Sequence, residues 1–275
     1  MLREQTFLSQ AAPNFTPRNI TITNIADNSV VISWQTSSAA PSFVTFGQNN
    51  PSGQTALDDR DEAAPKPRLA HYVTLKNLLP KTSYQFKITA GKLTSDVQRF
   101  ETATPLTSQT GFTPIIGSVL DGTIPLEEGV AFLFLPEATV QSSVIKSGNF
   151  LIPLSQIRKA DLTDTYQLTE GMIAKLTVKS VKGEANVEFV LRADSPPLPP
   201  LKLGESIDLT TQIPSSPDQD PYQYDLNDDG IINTADYMTL LQNMGKNPKN
   251  AKADINGDGV VDQQDRDLMT EKLKN

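Results

Sequence analysis

The sequence predicts a multidomain, mainly β protein in which two antiparallel β-sandwiches precede a small α-helical module. The first observation is length, since 275 residues exceed the size of a typical single domain. The second is an alternation of apolar and polar residues with period two, which recurs over much of the chain before residue 210 and is typical of strands. The third is composition, because 20 prolines against 15 glycines favour extended connections and edge strands over long helices.

Changes of pattern along the chain predict the domain boundaries. The linker between the two sandwiches, residues 102–110, is short enough for limited hinging. We expect these divisions: an N-terminal lead (1–11), a first sandwich (12–105), a second sandwich (112–210), a linker (211–221) and a helical module (222–275).

The first sandwich begins with an alternating run around Trp34. Val30, Ile32 and Trp34 alternate with Val31 and Ser33, as in a half-buried strand. Turn-rich segments separate this run from the next ones, which gives about seven strands. The further predicted strands are Ile20–Ile25, Phe43–Phe46, Val73–Leu75, Tyr84–Ile88 and Val97–Phe100.

The segment Leu78–Tyr84 reads Leu-x-Pro-x-Thr-x-Tyr. Its tyrosine hydroxyl is expected to fold back onto the preceding turn, which is the tyrosine-corner geometry of sandwiches. With Trp34, residues 12–105 therefore resemble a fibronectin type III domain. Two further segments, Val44–Gly47 and His71–Leu75, are similar to the fibronectin-like domain that precedes purple acid phosphatase catalytic domains. A dimetal phosphatase centre needs several histidines, whereas this chain has one.

Two polar features of this sandwich are expected to be structural. His71 shares strand parity with Val73 and Leu75, which predicts a strand residue near the rim. Four clustered acids are expected in a solvated turn, with a weak cation site as the alternative. They are Asp58, Asp59, Asp61 and Glu62.

The second sandwich is marked by short glycine turns. Gly117–Gly122 and Ser147–Phe150 resemble turns of transthyretin-like or carboxypeptidase-regulatory-like sandwiches, and an immunoglobulin-like X module is the alternative. Some relatives carry a Lys–Asn isopeptide bond, but no lysine lies between Gly111 and Gly122, so we expect none here. The proline-rich segment Ser195–Pro200 is expected to be an extended edge of this sandwich. The predicted strands are Ile115–Val119, Val130–Leu135, Val140–Ile145, Phe150–Leu154, Ile173–Val181, Val187–Leu191 and Ile207–Leu209.

Most of the net charge of −8 lies at the C-terminus. From Pro217 onwards there are twelve acidic and six basic residues, so this segment carries six of the eight excess negative charges. The net charge of −8 argues against nucleic-acid binding, which needs clustered Lys and Arg. Concentrated carboxylates form either a solvated tail or a cation site, and their spacing distinguishes the two.

The spacing of these acids is a repeat of twelve-residue segments, 225–236 (loop 1) and 254–265 (loop 2), which start 29 residues apart. Both have oxygen-bearing side chains at positions 1, 3, 5, 9 and 12, glycine at 6 and a β-branched residue at 7. The predicted ligands are Asp225, Asn227, Asp229, Ile231 (carbonyl), Asn233 and Asp236 in loop 1, and Asp254, Asn256, Asp258, Val260 (carbonyl), Asp262 and Asp265 in loop 2.

These donor sets predict two bound Ca²⁺ ions. Calcium takes about six to eight oxygen ligands from carboxylates, amides and carbonyls, whereas magnesium, the second choice, demands a stricter octahedron. The side chains at position 7, Ile231 and Val260, are expected to point inward and to pair with each other.

Each loop is expected to run into a helix. Asn233 or Thr234 caps the first helix, which ends near Gly245. An EF-hand would have a helix before each loop and glutamate at position 12, but the segment Pro217–Pro221 opposes an entering helix and position 12 is aspartate twice. The apolar stripes are Tyr237, Leu240, Leu241 and Met244 in the first helix and Leu268, Met269 and Leu273 in the second.

A duplicated loop and helix without an entering helix resembles the dockerin module of cellulosomal and related surface proteins, over residues 222–274. The resemblance implies a cohesin-like partner that binds the helix faces, with recognition residues Thr234, Ala235, Gln263 and Gln264. Because many type I dockerins carry Ser-Thr at both places, the two unlike pairs argue against dual-mode docking and a type I partner. The alternative is a calcium-stabilised cap that packs on its own neighbour.

Taken together, these features predict a non-catalytic, monomeric protein of the cell surface or extracellular space. The sequence contains no cysteine, no apolar run long enough for a membrane span, and no Gly-x-Ser-x-Gly or His-Glu-x-x-His motif. Its first residues have no apolar signal-peptide region, so export would need a preceding segment. The alternatives are the accessory region of a larger secreted hydrolase and a structural stalk whose helical module packs intramolecularly.

Overall fold

The computed structural model describes residues 14–106, 111–210, 223–246 and 248–274. Their contacts form two compact units, one ending at residue 210 and one containing residues 223–274. The mainly β fold with two short helices near the C-terminus is confirmed. The domain boundaries remain predictions, and the lead (1–11) and the linker (211–221) lie outside the described residues.

The first sandwich has its two layers joined by one long strand, β2. Residues 30–35 of β2 pair with β1 and β4, and residues 42–47 pair with β5 and β3. The register shifts between Gln35 and Ala40, so β2 bends where the sequence predicted a break between two strands. The strands are β1 (Arg18–Thr23), β2 (Val30–Gly47), β3 (Gln54–Leu57), β4 (Pro67–Leu75), β5 (Ser83–Ala90), β6 (Leu93–Thr94) and β7 (Gln98–Glu101).

The first half of β2 is buried on both faces rather than half-buried. Val30, Ile32 and Trp34 enter the core of the sandwich, as the alternation predicts. Val31 and Ser33, which the alternation places outside, are only 3% and 1% exposed. The prediction was wrong for these two residues because another layer covers that face.

The tyrosine corner is confirmed. The Tyr84 hydroxyl accepts a hydrogen bond from the backbone N–H of Leu79 at 2.9 Å, and the ring is buried in the core. This bond ties the turn before β5 to the strand itself.

His71 lies on β4 as predicted, but in the interior and not near the rim. It is 1% exposed, and its ring stacks on Trp34 with the centroids 4.8 Å apart. Its Nε2 lies 3.3 Å from the Ser42 hydroxyl. Burial lowers the pKa of His71 to about 4, so the ring is neutral at pH 7. Strand parity identified the face of His71, but not its distance from the sheet end.

The predicted solvated acidic turn is wrong for Asp58, which is 1% exposed. Its carboxylate accepts hydrogen bonds from Arg60 Nε and Nη2 at 2.7 and 2.8 Å and from the backbone N–H of Tyr72 at 2.8 Å. Burial alone would raise the pKa of Asp58, but the bonds and charge of Arg60 outweigh it and lower that pKa. Asp61 pairs with Arg68 at 2.5 Å. Arginines therefore neutralise the buried acids, while the other two acids of the cluster are exposed as expected.

The second sandwich consists of a five-stranded and a four-stranded sheet. The five-stranded sheet has the order β11-β10-β13-β14-β16, and β8 pairs with β12, β15 and β9 in the other. Apolar side chains from both sheets form one core between them. The strands are β8 (Ile115–Asp121), β9 (Ile124–Pro125), β10 (Val130–Phe134), β11 (Gln141–Val144), β12 (Asn149–Ile152), β13 (Ile173–Ser180), β14 (Gly183–Val190), β15 (Leu201–Lys202) and β16 (Ser206–Asp208).

The segment Ser195–Pro200 runs along the edge strand β8, as predicted. The Leu198 N–H donates to the Ile116 carbonyl at 2.8 Å, and the following β15 pairs with β8 in parallel. The prolines occupy an edge, where their lack of an N–H costs no ladder bond.

The two sandwiches share an apolar interface. Val31 and Tyr72 of the first contact Val130, Phe132 and Val144 of the second in one buried cluster. This is the layer that covers the outer face of β2.

A polar network lies beside this cluster. The side-chain amide of Asn24 donates to the Tyr72 hydroxyl and to the Ser142 carbonyl, both at 3.0 Å, while its oxygen accepts from the Ser142 N–H at 2.6 Å. The Tyr72 hydroxyl donates to the same carbonyl at 2.9 Å, and burial raises the pKa of Tyr72 to about 12. Glu128 of the second sandwich accepts the N–H groups of Leu69 and Ala70. These bonds argue against the hinging expected from the short linker.

The C-terminal unit has a small core of its own, which includes Tyr224, Leu226, Leu240, Ile255 and Met269. None of the helices in the described part of the chain is long and apolar enough to cross a membrane. The elements are α1 (Thr234–Gln242), β17 (Gly245–Lys246), a 3-10 helix (Ala251–Ala253), β18 (Val260–Val261) and α2 (Gln263–Lys274).

Acid should destabilise the first sandwich through His71. The pKa of its ring is 6.5 when exposed and about 4 in the fold, so the unfolded chain takes up the proton first. The free energy of unfolding should therefore be unaffected above pH 6.5, fall between pH 6.5 and 4, and stay lower by about 3 kcal/mol below that. Urea unfolding across this range measures it. If His71→Phe kept the full pH dependence, the assignment to His71 would be wrong.

Removing the hydroxyl at the interface should weaken the first unit. Tyr72→Phe leaves the ring in place but deletes the bonds to Ser142 and Asn24, so we expect a loss of about 1–2 kcal/mol in the free energy of unfolding. Tyr166→Phe is the control, because the hydroxyl of that largely buried tyrosine forms no hydrogen bond among the described residues. Equal effects in the two variants would argue against the network.

Candidate metal centre

Loop 1 is folded by its own carboxylates. Asp225 is 3% exposed, and its two oxygens accept the N–H groups of Asp229 at 3.2 Å and Gly230 at 2.9 Å. The Asn227 oxygen also accepts from the Asp229 N–H at 3.1 Å. The Asp229 carboxylate in turn accepts the Ile231 N–H at 2.8 Å. Positions 1, 3 and 5 therefore wrap one tight turn, as the spacing predicts.

Loop 2 repeats this arrangement bond for bond. Asp254 accepts the N–H groups of Asp258 at 3.1 Å and Gly259 at 2.7 Å. Asn256 accepts from Asp258 at 3.0 Å, and Asp258 accepts from Val260 at 2.9 Å. The two copies of the repeat therefore share the same backbone geometry as well as the same residue spacing.

Two positions of each loop adopt left-handed backbone. Position 6 is Gly230 or Gly259, with φ of 82° and 90°, where glycine avoids a Cβ clash. Position 4 is Asp228 or Gly257, with φ of 59° and 72°. The left-handed backbone at position 4 was not predicted, although Gly257 in the second copy signals it and aspartate tolerates this region.

Position 12 closes each loop onto its helix. Asp236 is fully buried; its Oδ1 accepts the Leu226 N–H at 2.8 Å and its Oδ2 accepts the Asn233 N–H at 2.8 Å. Asn233 is the N-cap of α1, and its side chain accepts the Ala235 N–H at 2.7 Å. Together they form a capping box that ties the start of the loop to the first turn of the helix.

The second copy has the same closure. Asp265 is fully buried, and its oxygens accept the N–H groups of Asn256 at 3.1 Å and Asp262 at 2.8 Å. Asp262 accepts the Gln264 N–H at 2.8 Å. Among the described residues, no Lys or Arg forms an ion pair with Asp225, Asp236 or Asp265, so neutral amides alone compensate these buried acids.

The expected pairing of the two position-7 side chains is wrong. Ile231 is 63% exposed, and Val260 lies in β18, which pairs with β17. β17, which follows α1, therefore pairs with β18 where loop 1 was expected to do so. The repeat in the sequence cannot show that β17 is the partner of β18, because this pairing depends on how the helices pack.

The loops offer a mixed donor set. Within the described ranges, no three acidic or histidine side chains form a group that could hold a metal ion unaided. Each loop instead combines carboxylates with an asparagine oxygen and a peptide carbonyl, which suits a hard cation such as calcium. The carboxylates accept few enough hydrogen bonds to retain lone pairs for an ion. The residues present therefore fit calcium.

The four predicted recognition residues, Thr234, Ala235, Gln263 and Gln264, are all exposed at the starts of α1 and α2. The predicted inward stripe of α1 holds for Leu240 and in part for Tyr237. Leu241 and Met244 are 36% and 44% exposed, and Met238 is 54% exposed. The helix ends at Gln242 instead of near Gly245. The stripe of α2 is confirmed, with Met269 buried and Leu268 and Leu273 packed beside it.

The solved structures to which the chain is similar include three that cover different shares of it. The sensor domain of the anti-sigma factor RsgI4 from Pseudobacteroides cellulosolvens is 20% identical, with 35% of this chain and 100% of that chain covered and a TM-score of 0.27. The FN1–FN3 domains of chicken CNTN1 are 13% identical, with 72% and 68% covered and a TM-score of 0.27. A redesigned β-sandwich protein is 30% identical, with 32% and 94% covered and a TM-score of 0.26.

The family comparisons locate two segments. No curated protein matches the chain. Neither of the two matching family models is a catalytic domain. One of them is the dockerin type I model. The unlike pairs Thr234–Ala235 and Gln263–Gln264 at the starts of the helices therefore do not distinguish this module from type I dockerins. The chain is similar to the purple acid phosphatase N-terminal domain over residues 17–102 and to the dockerin type I domain over residues 223–274.

Proposed function

We propose that the C-terminal unit is a calcium-dependent docking module that binds a cohesin-like partner outside the cell. The observation that carries the proposal is the pair of fully buried closing acids, Asp236 and Asp265. A buried carboxylate without a cationic partner is costly. A divalent ion in each loop would supply the missing positive charge.

Calcium would be held by the six predicted donors of each loop, and it would supply charge neutralisation and a rigid link between the loop and its helix. The chain's own residues already prepare this link. Asp225 and Asp254 hold the turn through backbone amides, and Asp236 and Asp265 join the loop start to the helix start. Calcium binding is therefore expected to fix the directions of α1 and α2 together with the loops.

The partner surface is proposed to begin at Thr234, Ala235, Gln263 and Gln264, which share exposed first turns of the helices. On α1 the exposed side of the helix continues through Met238 and Leu241. Exposed apolar side chains on a helix face are typical of a docking surface. The sandwiches would act as a rigid spacer, since their interface is packed and hydrogen-bonded.

The match of residues 17–102 to the purple acid phosphatase N-terminal domain favours a second candidate, the accessory region of a secreted hydrolase. The chain's only histidine is buried against Trp34, which leaves it inaccessible to a substrate. Sequencing the gene on both sides of this segment separates the readings, because the accessory region of a hydrolase would be encoded beside a catalytic domain. Neither reading expects turnover by this chain alone, which a phosphomonoester hydrolysis assay with added iron and manganese checks. Turnover by the purified chain would contradict a non-catalytic protein.

Calcium should bind at two sites and stabilise the C-terminal unit. At a free calcium concentration about 100-fold above Kd, we expect about 2.7 kcal/mol of added stability per site, because the ion binds the folded loop and not the unfolded one. Isothermal titration gives the stoichiometry, and thermal unfolding with calcium or with EDTA gives the stabilisation. A chain that shows neither heat nor a change of Tm would not be a calcium protein.

Two matched variants assign the sites. Asp225→Ala and Asp254→Ala should each remove one binding event, whereas Asp96→Ala, an exposed acid in the first sandwich, should remove none. Unfolding of the first unit should be unchanged in all three. Magnesium is the metal control, and equal affinity for it would contradict the preference for calcium.

Docking should depend on the exposed start of α1. Ala235→Glu introduces a charge on that face and should weaken binding to an immobilised cohesin module at least about tenfold, on the scale of an interface hot spot. Gln264→Glu adds the same charge at the equivalent place on α2. Surface plasmon resonance with a panel of cohesin modules, in calcium and in EDTA, measures both. If no cohesin binds, the partner class is wrong; if both variants bind like the parent, the face is wrong.

A further inference from the structure

The two loops contain equal numbers of carboxylates but place them differently. Each has four aspartates. In loop 2 all four stand at ligand positions 1, 5, 9 and 12. In loop 1 only three do, because the fourth, Asp228, stands at position 4, which is not one of the predicted ligand positions.

Position 9 accounts for this difference. In loop 1 it is Asn233, whose oxygen accepts the Ala235 N–H and whose NH₂ group donates to the Ile231 carbonyl at 3.2 Å. In loop 2 it is Asp262, where one oxygen accepts the Gln264 N–H. Its other oxygen has no hydrogen bond within the described residues and can face a cation or a cation-bound water. An NH₂ group cannot do this.

The surplus acid of loop 1 is already neutralised. Lys252 Nζ forms an ion pair with the Asp228 carboxylate, which also places a positive charge beside loop 1. The base nearest to loop 2 in sequence is Arg266, and it forms no ion pair with a loop 2 carboxylate in the described structure. Asp228 therefore adds no uncompensated negative charge for an ion in loop 1, which depends on its three carboxylates at ligand positions, whereas loop 2 has four.

One feature favours loop 1. Asp225 is 3% exposed, whereas its counterpart Asp254 is only half-buried. Burial strengthens the contacts of one ligand, but it adds no charge to the set. The closing acids Asp236 and Asp265 are equally buried. Calcium affinity follows the number of charged ligands, so the carboxylate count outweighs this difference.

We propose that calcium fills the loops in a fixed order, loop 2 first and loop 1 second. The inference rests on the proposed function, of which it specifies the regulation. Over a range of calcium concentration the module is then half-loaded, with α2 fixed to its loop and α1 still held by hydrogen bonds alone. Because Met238 and Leu241 lie on α1, the docking face would be completed only by the second ion.

The backbone amides of two glycines report calcium binding to the two loops separately. The Gly230 N–H donates to Asp225 and the Gly259 N–H donates to Asp254, so each resonance reports its own loop. The experiment is a titration of the ¹⁵N-labelled full chain with CaCl₂, observed by NMR. We expect the Gly259 change to reach its midpoint at a free calcium concentration at least about tenfold lower than that of Gly230, the scale of one added charged ligand.

Exchange of position 9 tests the cause. Asn233→Asp should lower the Gly230 midpoint about tenfold, and aspartate still caps α1. Asp262→Asn should raise the Gly259 midpoint by a similar factor. Gln242→Glu, on an exposed site of α1, adds one negative charge away from the ligands and should change neither midpoint more than about twofold.

The outcomes separate the two proposals. Equal midpoints, loop 1 filling first, or position-9 variants that behave like Gln242→Glu would overturn the order while leaving calcium binding intact. If neither glycine responds to calcium, the proposed function fails and the order with it.

Discussion

A carboxylate removed from water must meet either positive charge or hydrogen-bond donors, and both units are organised around this constraint. In the first unit Asp58 is matched by the guanidinium of Arg60 and by the N–H of Tyr72. In the C-terminal unit Asp236 and Asp265 are matched only by backbone N–H groups of their own loops. The first arrangement is complete without a ligand. The second leaves net negative charge inside, which is what a cation site requires.

The closing acids would also connect calcium binding to the geometry of the helices. Asp236 accepts hydrogen bonds from the N–H of Leu226, at the start of the loop, and from the N–H of Asn233, which caps α1. A change in the loop therefore reaches the first turn of the helix through this one side chain. Asn233 adds a second connection, because it is both the helix cap and the position-9 residue. In loop 1 the helix cap and the predicted calcium ligand are therefore the same amide oxygen, that of Asn233. Loop 2 avoids this competition because Asp262 has two equivalent oxygens.

The sequence predicted most of the candidate site because its information is local. Glycine at position 6 and oxygens at fixed offsets specify a turn that needs no distant contacts, and the turn was found in both copies. Predictions that depended on distant packing were less successful. Val31 was placed outside because strand parity cannot show a covering domain, although an apolar residue at an outward position was a signal. Ile231 and Val260 do not pair because β17 pairs with β18, the strand that contains Val260.

The two copies of the repeat also differ in their solvent-exposed residues, which bears on the proposed docking. A pseudo-twofold exchange of the repeats would bring Asp267 to the place of Met238, since these residues are 29 positions apart. Asp267 already accepts a hydrogen bond from Gln263 at 2.7 Å, and a partner surface that covers Met238 would strip Asp267 of water without offering it a counter-charge. Burying an unpaired carboxylate at an interface costs several kcal/mol. A partner shaped for α1 would therefore reject α2, and a duplicated calcium loop would support only one mode of docking.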